Sequence, residues 1–147
     1  MENASHGVNA VLRSLQVPAG KKVLYLNCAY RMVQNTLEFL NHFVGDQLLM
    51  VNITWPATAD DIVATVRQAL EAHPGQVYAA SFSHIVSLPA AILPVKQLAA
   101  LCHQHGAMVL VDGAHALGHI PINVTDINAD FYVSNGHKWL YSPKSEK

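Results

Sequence analysis

Residues 107–115 read Ala-Met-Val-Leu-Val-Asp-Gly-Ala-His. The five apolar residues at the start form a strand covered on both faces, and Asp112-Gly113 ends it. A carboxylate at the tip of a buried parallel strand is costly unless a cation or hydrogen-bond donors meet it. Asp112 therefore marks a place where chemistry is expected.

Outward from this stretch the same kind of run recurs. Residues 22–26 (KVLYL), 48–53 (LLMVNI), 77–81 (VYAAS) and 130–133 (DFYV) read as further strands. Helical patterns lie between them. Val8, Val11, Leu12 and Leu15 fall at i, i+3, i+4 and i+7, with Ser5 as the expected N-cap and Pro18-Ala19-Gly20 as the stop. Val33, Leu37, Leu40 and Val44 form the stripe of a second helix. Thr58 and Asp61 resemble a capping box for a third, which buries Ile62, Val66 and Leu70 and ends at Pro74-Gly75. Pro94 suits the first position of a fourth, which carries Leu98 and Leu101 and closes at Gly106. Strands and helices that alternate this closely predict an α/β fold, a doubly wound, mostly parallel sheet with helices on both faces. No repeat, linker or low-complexity segment divides residues 1–147.

Composition narrows the function classes. The chain has 51% hydrophobic and 13% charged residues, a mean hydropathy of +0.19 and a formal charge of −1. That balance excludes disorder and gives no electrostatic footprint for nucleic acid or an anionic membrane. No apolar run reaches membrane-spanning length, and the first residues lack the pattern of a secretory signal. Cys28 and Cys102 form no CxxC and are too few for a disulfide scaffold, so a reducing, cytoplasmic compartment is expected. The sparse charge implies that part of the surface is covered by something else.

In open α/β sheets, ligands bind beyond the carboxyl ends of the strands. The turn after the first strand, Asn27-Cys28-Ala29-Tyr30, carries no glycine fingerprint, and no GxGxxG or GxxxxGK[ST] occurs, so a dinucleotide or nucleotide triphosphate site is not supported. The last strand runs into Ser134-Asn135-Gly136-His137-Lys138-Trp139. Read singly, Asp112 is equally a helix cap and Lys138 equally a solvated lysine. Together, a carboxylate and an amine at two strand ends are what pyridoxal phosphate requires: an amine to condense with its aldehyde and a carboxylate to keep its pyridine nitrogen protonated. A helix N-terminus at Ser5-His6-Gly7 supplies a phosphate cradle. Asp112, His115 and His119, or His103 and His105, form a weaker alternative as metal ligands, and no metal site is expected.

The stretches Asn3–Asn9, Ser83–Ser87, Leu110–His115 and Ser134–Leu140 resemble the class V aminotransferase-like group of fold-type I pyridoxal-phosphate enzymes. The resemblance runs along nearly the whole chain. It is strongest to the branch of L-cysteine desulfhydrases, hercynylcysteine sulfoxide lyases and isopenicillin N epimerases, with Cys28-Ala29-Tyr30 and Gly118-His119-Ile120 pointing to the first two. It implies that Lys138 binds the cofactor aldehyde and moves the substrate α-proton, that Asp112 partners the pyridine nitrogen, and that His115 meets the ring's phenolic oxygen. Ser5 and His6 match the phosphate-cradling turn, Asn135 and His137 add phosphate contacts, and Ser87 stands where relatives often place an asparagine. Where many relatives stack a histidine on the ring, this chain has Cys28, and Tyr30 is nominated instead; a core tyrosine at a helix start is an equal reading.

In relatives a glycine commonly follows the Pro-Lys/Arg step, where Ser145 stands here, and a smaller C-terminal domain carries the arginine that clamps the substrate carboxylate. The chain is thus expected to be a partial cofactor-binding domain that acts on a small amino acid and is homodimeric at full length. The implied activity is carbon–sulfur lysis. Epimerisation, transamination, desulfuration, or an inactive fragment that works only by pairing with a partner stay open.

Overall fold

A computed structural model of the chain describes residues 2–143; Ser145 and its neighbours at 144–147 lie outside them. Five strands form one sheet: β1 (Lys22–Leu26), β2 (Leu48–Val51), β3 (Val77–Ser83), β6 (Met108–Asp112) and β7 (Phe131–Val133). Their order is β2-β1-β3-β6-β7 and every pairing is parallel. A short antiparallel pair, β4 (Ile85–Val86) with β5 (Ala91–Ile92), stands apart from it.

Helices α1 (Ala4–Ser14) and α2 (Arg31–Val44) cover one face, where Val8, Leu12, Val33 and Leu37 pack on Val23, Tyr25 and Leu110. Leu40 is a partly buried edge of that layer, and the Val44 side chain lies outside the described residues. On the other face, α3 (Ala59–Ala72) and α4 (Val95–Gln104) bury Ile62, Val66, Leu70, Leu98 and Leu101 against Leu24, Phe82 and Val109. A one-turn helix, α5 (Val124–Ile127), precedes β7. The central strands β1, β3 and β6 are buried on both faces, which is why they read as continuous apolar runs, whereas the edge strands β2 and β7 keep Met50 and Phe131 exposed. Each fully buried leucine, such as Leu24 or Leu98, contributes about 1.5–3 kcal/mol by leaving water.

Several boundaries differ from the sequence expectation, each for a local reason. The N-cap of α1 is Asn3, whose side chain accepts the His6 N–H at 2.9 Å; Ser5 already lies within the first turn. Pro94 is the N-cap of α4 rather than its first residue. β2 stops at Val51 because the Asn27 amide takes both backbone groups of Ile53, at 2.9 and 3.2 Å. β3 runs on to Ser83, since Phe82 and Ser83 pair with Val111 and Asp112. β7 begins after Asp130, whose carboxylate is turned away to accept the Val109 N–H at 2.6 Å. The Thr58–Asp61 capping box forms as expected.

Among the described residues no helix is long and apolar enough to cross a membrane, and no three potential ligands gather as a metal site. Both cysteines are free.

Candidate active site

The sheet order reverses between β1 and β3, and a cleft of about 190 Å³ opens at the carboxyl ends of the strands. Five chain segments converge there. The start of α1 brings Asn3, Ala4 and Ser5; the turn after β1 brings Tyr30; the end of β3 and its hairpin bring Ser83, Ile85 and Ser87. The ends of β6 and β7 bring Asp112, Ala114, His115, Asn135, His137 and Lys138.

Asp112 is 7% exposed, and its Oδ1 accepts the Ala114 N–H at 3.0 Å. Burial pushes its carboxyl above the ordinary carboxylate value, opposed by the Ala114 N–H and by the charges of Lys138 and His115. Lys138 Nζ shares a hydrogen bond with His115 Nε2 at 3.1 Å. Partial burial holds the Lys138 amine below the usual lysine range, with Asp112 pulling the other way. Burial and the Lys138 charge lower His115 as well. The cleft therefore holds an amine and an imidazole both biased toward neutrality, which is the condition for a nucleophile and proton carrier.

The loops that carry these groups are braced from outside. His119 Nδ1 donates to the His115 carbonyl at 3.1 Å, and its ring stacks on Trp139 at 4.1 Å, next to Lys138 in sequence. Ser134 Oγ donates to the Gly113 carbonyl at 2.8 Å, tying the turn after β7 to the turn after β6.

Eight of the nine residues singled out from sequence line the cleft: Ser5, Tyr30, Ser87, Asp112, His115, Asn135, His137 and Lys138. His6 does not. Its side chain is exposed and lies 3.5 Å from Glu2, and its N–H is held by Asn3. Sequence reasoning passed over Asn3, Ala4, Ser83, Ile85 and Ala114; all five sit inside the quoted motifs, and asparagine's preference for N-caps is the available signal for Asn3.

Fold and cleft together define a doubly wound α/β domain with an amine–carboxylate site at the strand ends. The chain belongs to the aminotransferase class-V family, whose model matches residues 1–144. It is 34% identical to an L-cysteine desulfhydrase of Arabidopsis thaliana over 128 residues, covering 84% of this chain and 28% of that protein. It is 29% identical to the hercynylcysteine sulfoxide lyase of Schizosaccharomyces pombe, covering 96% of this chain and 36% of the relative. Among solved structures, the cystine C–S lyase C-DES in complex with cysteine persulfide superposes with a TM-score of 0.87 over 97% of this chain and 38% of its own, at 23% identity. At that identity the likeness establishes the fold. The chain spans about a quarter to a third of the length of these curated relatives.

Proposed function

We propose that this chain is the cofactor-binding domain of a pyridoxal-phosphate enzyme that cleaves a carbon–sulfur bond in L-cysteine or a cysteine derivative. The observation that carries this reading is the placement of the Lys138 amine, the Asp112 carboxylate and the start of α1 around one cleft. The donor set fits the cofactor's three handles. The first turn of α1 has no acidic residue, so the positive end of the helix is available to a phosphate. Asn135 Oδ1 is buried without a hydrogen-bond partner among the described residues, an amide left to be satisfied by a bound group. Ser5, Asn135 and His137 would hold the phosphate, Asp112 the pyridine nitrogen, His115 and Ser87 the ring edge, and Tyr30 a ring face. His6 contributes to this scheme only as part of the turn.

Bound pyridoxal phosphate supplies an aldehyde for the amine and an electron-withdrawing ring that accepts the charge left by α-deprotonation. The chain's own part is to present Lys138 unprotonated, so that Nζ can take the α-proton, and to keep His115 beside it as a neutral hydrogen-bonding partner. The buried Asp112 fixes a negative charge at the cleft floor. Elimination of the β-sulfur group from cysteine and addition of water then yield sulfide, pyruvate and ammonia.

The test is a visible absorbance band on adding pyridoxal phosphate to the purified chain, lost in Lys138→Ala, followed by assay of sulfide and pyruvate from L-cysteine. No band, or a band that survives Lys138→Ala, overturns the cofactor reading. A band without sulfide redirects the activity to epimerisation, transamination or desulfuration. The relatives include an isopenicillin N epimerase of Streptomyces clavuligerus, 30% identical over 141 residues.

A second reading has its own observation. No arginine lines the cleft among the described residues, so a substrate carboxylate has no clamp there, and Leu88, Ile92, Leu140 and Tyr141 are exposed. These features support a domain completed by a partner, a homodimer in the full-length form. Size-exclusion chromatography beside the sulfide assay separates the two: a monomer that releases sulfide unaided rules out the need for a partner. A cytoplasmic location fits the free cysteines, and an organellar one is equally compatible, since an A. thaliana relative 34% identical to this chain is described as chloroplastic.

A further inference from the structure

Behind the cleft, on the α4 face of the sheet, two side chains meet across the end of β6. His84, 7% exposed, follows β3, and Tyr132 lies in β7; His84 Nδ1 and the Tyr132 hydroxyl share a hydrogen bond of 2.7 Å. β6 runs between these strands in the sheet. The bond therefore spans the strand that carries Asp112, passing under its last residues.

Three contacts tie the pair to the Asp112 turn. The His84 N–H donates to the Asp112 carbonyl at 2.8 Å. The Tyr132 ring lies so close beneath Gly113 that a Cβ there would fall on the ring's hydroxyl edge. The Gly113 N–H donates to the Val133 carbonyl at 2.6 Å, the residue after Tyr132. The rings of His84 and Tyr132 also meet edge-on, with centroids 5.9 Å apart. Asp112, by contrast, points to the opposite face and holds its carboxylate with the Ala114 N–H. A one-residue turn of backbone thus separates a functional carboxylate on one face from a hydrogen-bonded strap on the other.

We propose that Tyr132 and His84 are positioning residues: their hydrogen bond straps β3 to β7 beneath β6 and holds the Asp112-Gly113-Ala114 turn in the geometry that presents the Asp112 carboxylate to the cleft. The pair's protonation states favour a permanent strap. Burial lowers His84, and burial together with the Asp112 charge pushes Tyr132 up to about 12, so the imidazole and phenol both stay neutral. Neither reaches the cleft lining, so neither is a catalytic group. The consequence for cofactor affinity rests on the function proposed above; the mechanical role does not.

The experiment uses Tyr132→Phe, which keeps the ring against Gly113 and removes the hydroxyl. In the unloaded chain, exchange of the Ala114 amide, which is bonded to Asp112, is expected to speed up about tenfold, while the Val109 amide lower on the same strand is unchanged. Equal acceleration at both amides indicates general loosening and overturns the proposal, as does no change at Ala114. If Tyr132→Phe does not fold, His84→Phe cuts the same bond from the other end and is judged by the same two amides. In the loaded chain, Tyr132→Phe is expected to weaken pyridoxal phosphate binding about tenfold, an effect that vanishes in an Asp112→Asn background because both act through one carboxylate. Additive effects overturn the proposal. Failure of the wild-type chain to bind the cofactor overturns the functional reading while leaving the amide test in force.

Discussion

Lys138 Nζ and His115 Nε2 stand 3.1 Å apart, joining the loop after β7 to the turn after β6. Both groups are held below their ordinary values, His115 by burial and the Lys138 charge, Lys138 by burial. A lysine so lowered has a larger unprotonated fraction at neutral pH than a solvated one, and loses it as pH falls. The absorbance band formed with pyridoxal phosphate is therefore expected to strengthen as pH rises, and to reach half its height below the titration of free lysine. Spectrophotometric titration checks this. A half-height at the ordinary lysine value shows that the cleft does not perturb the amine.

Asp112 sits where function and stability oppose each other. Its folded-state value is raised by burial above that of the unfolded chain, so the folded form holds its proton longer. Stability of the unloaded chain consequently falls as pH rises from the ordinary carboxylate value through the raised one. Asp112→Asn keeps an oxygen for the Ala114 N–H and removes the buried charge. At neutral pH the unloaded variant is expected to melt a few degrees higher, about 3 °C for ~1 kcal/mol in a chain of this size, and to bind pyridoxal phosphate at least tenfold more weakly. Thermal melts with and without cofactor measure both; a variant less stable than wild type contradicts the argument.

These residues also show how far the sequence can be read. The sheet was legible because burial on both faces writes continuous apolar runs, and Asp112 and Lys138 stood out because charge at a strand end needs a reason. The hairpin of β4 and β5 was not legible, since two-residue strands carry no periodicity. Asn3 and Ser5 are both residue types that favour an N-cap, and the choice between them depends on a 2.9 Å bond from the His6 N–H to Asn3. The resemblance places His6 with Ser5 in the cradling turn, yet a helix turns its successive side chains about 100° apart, and this one is exposed beside Glu2. The bond between His84 and Tyr132 joins residues 48 apart and depends on which strands flank β6, which only the register reveals.

Gly7 faces Val133 of β7 where α1 packs on the sheet. A Cβ there would stand 2.5 Å from Val133 Cγ1, so the helix or the strand must shift to admit one. Gly7→Ala gains helix propensity but is expected to lose about 1–3 kcal/mol through overpacking. The same shift displaces Ser5, two residues earlier and at the cleft, so phosphate-dependent affinity should fall with stability. Denaturant unfolding and cofactor titration test the pair. A variant with unchanged stability and affinity shows that α1 is not seated against Val133.

Asp130 anchors β6 at the end away from the cleft. Its Oδ2 accepts the Val109 N–H at 2.6 Å and the His103 Nε2–H at 3.0 Å. Burial raises its carboxyl, but the hydrogen bonds from His103 and Val109 and the His103 charge outweigh that and leave it below the ordinary value. A carboxylate depressed in the folded state gives stability that is present above the unfolded value and lost as pH falls through the folded one. Asp130→Ala is expected to cost about 1–2 kcal/mol at neutral pH, mainly by leaving the Val109 N–H without its acceptor. The difference from wild type should shrink in acid, where the native carboxyl is protonated and gives up the same contacts. Paired denaturation curves at neutral and acid pH decide it: a gap that stays constant with pH means that the Asp130 charge contributes nothing and that shape alone fixes the start of β7.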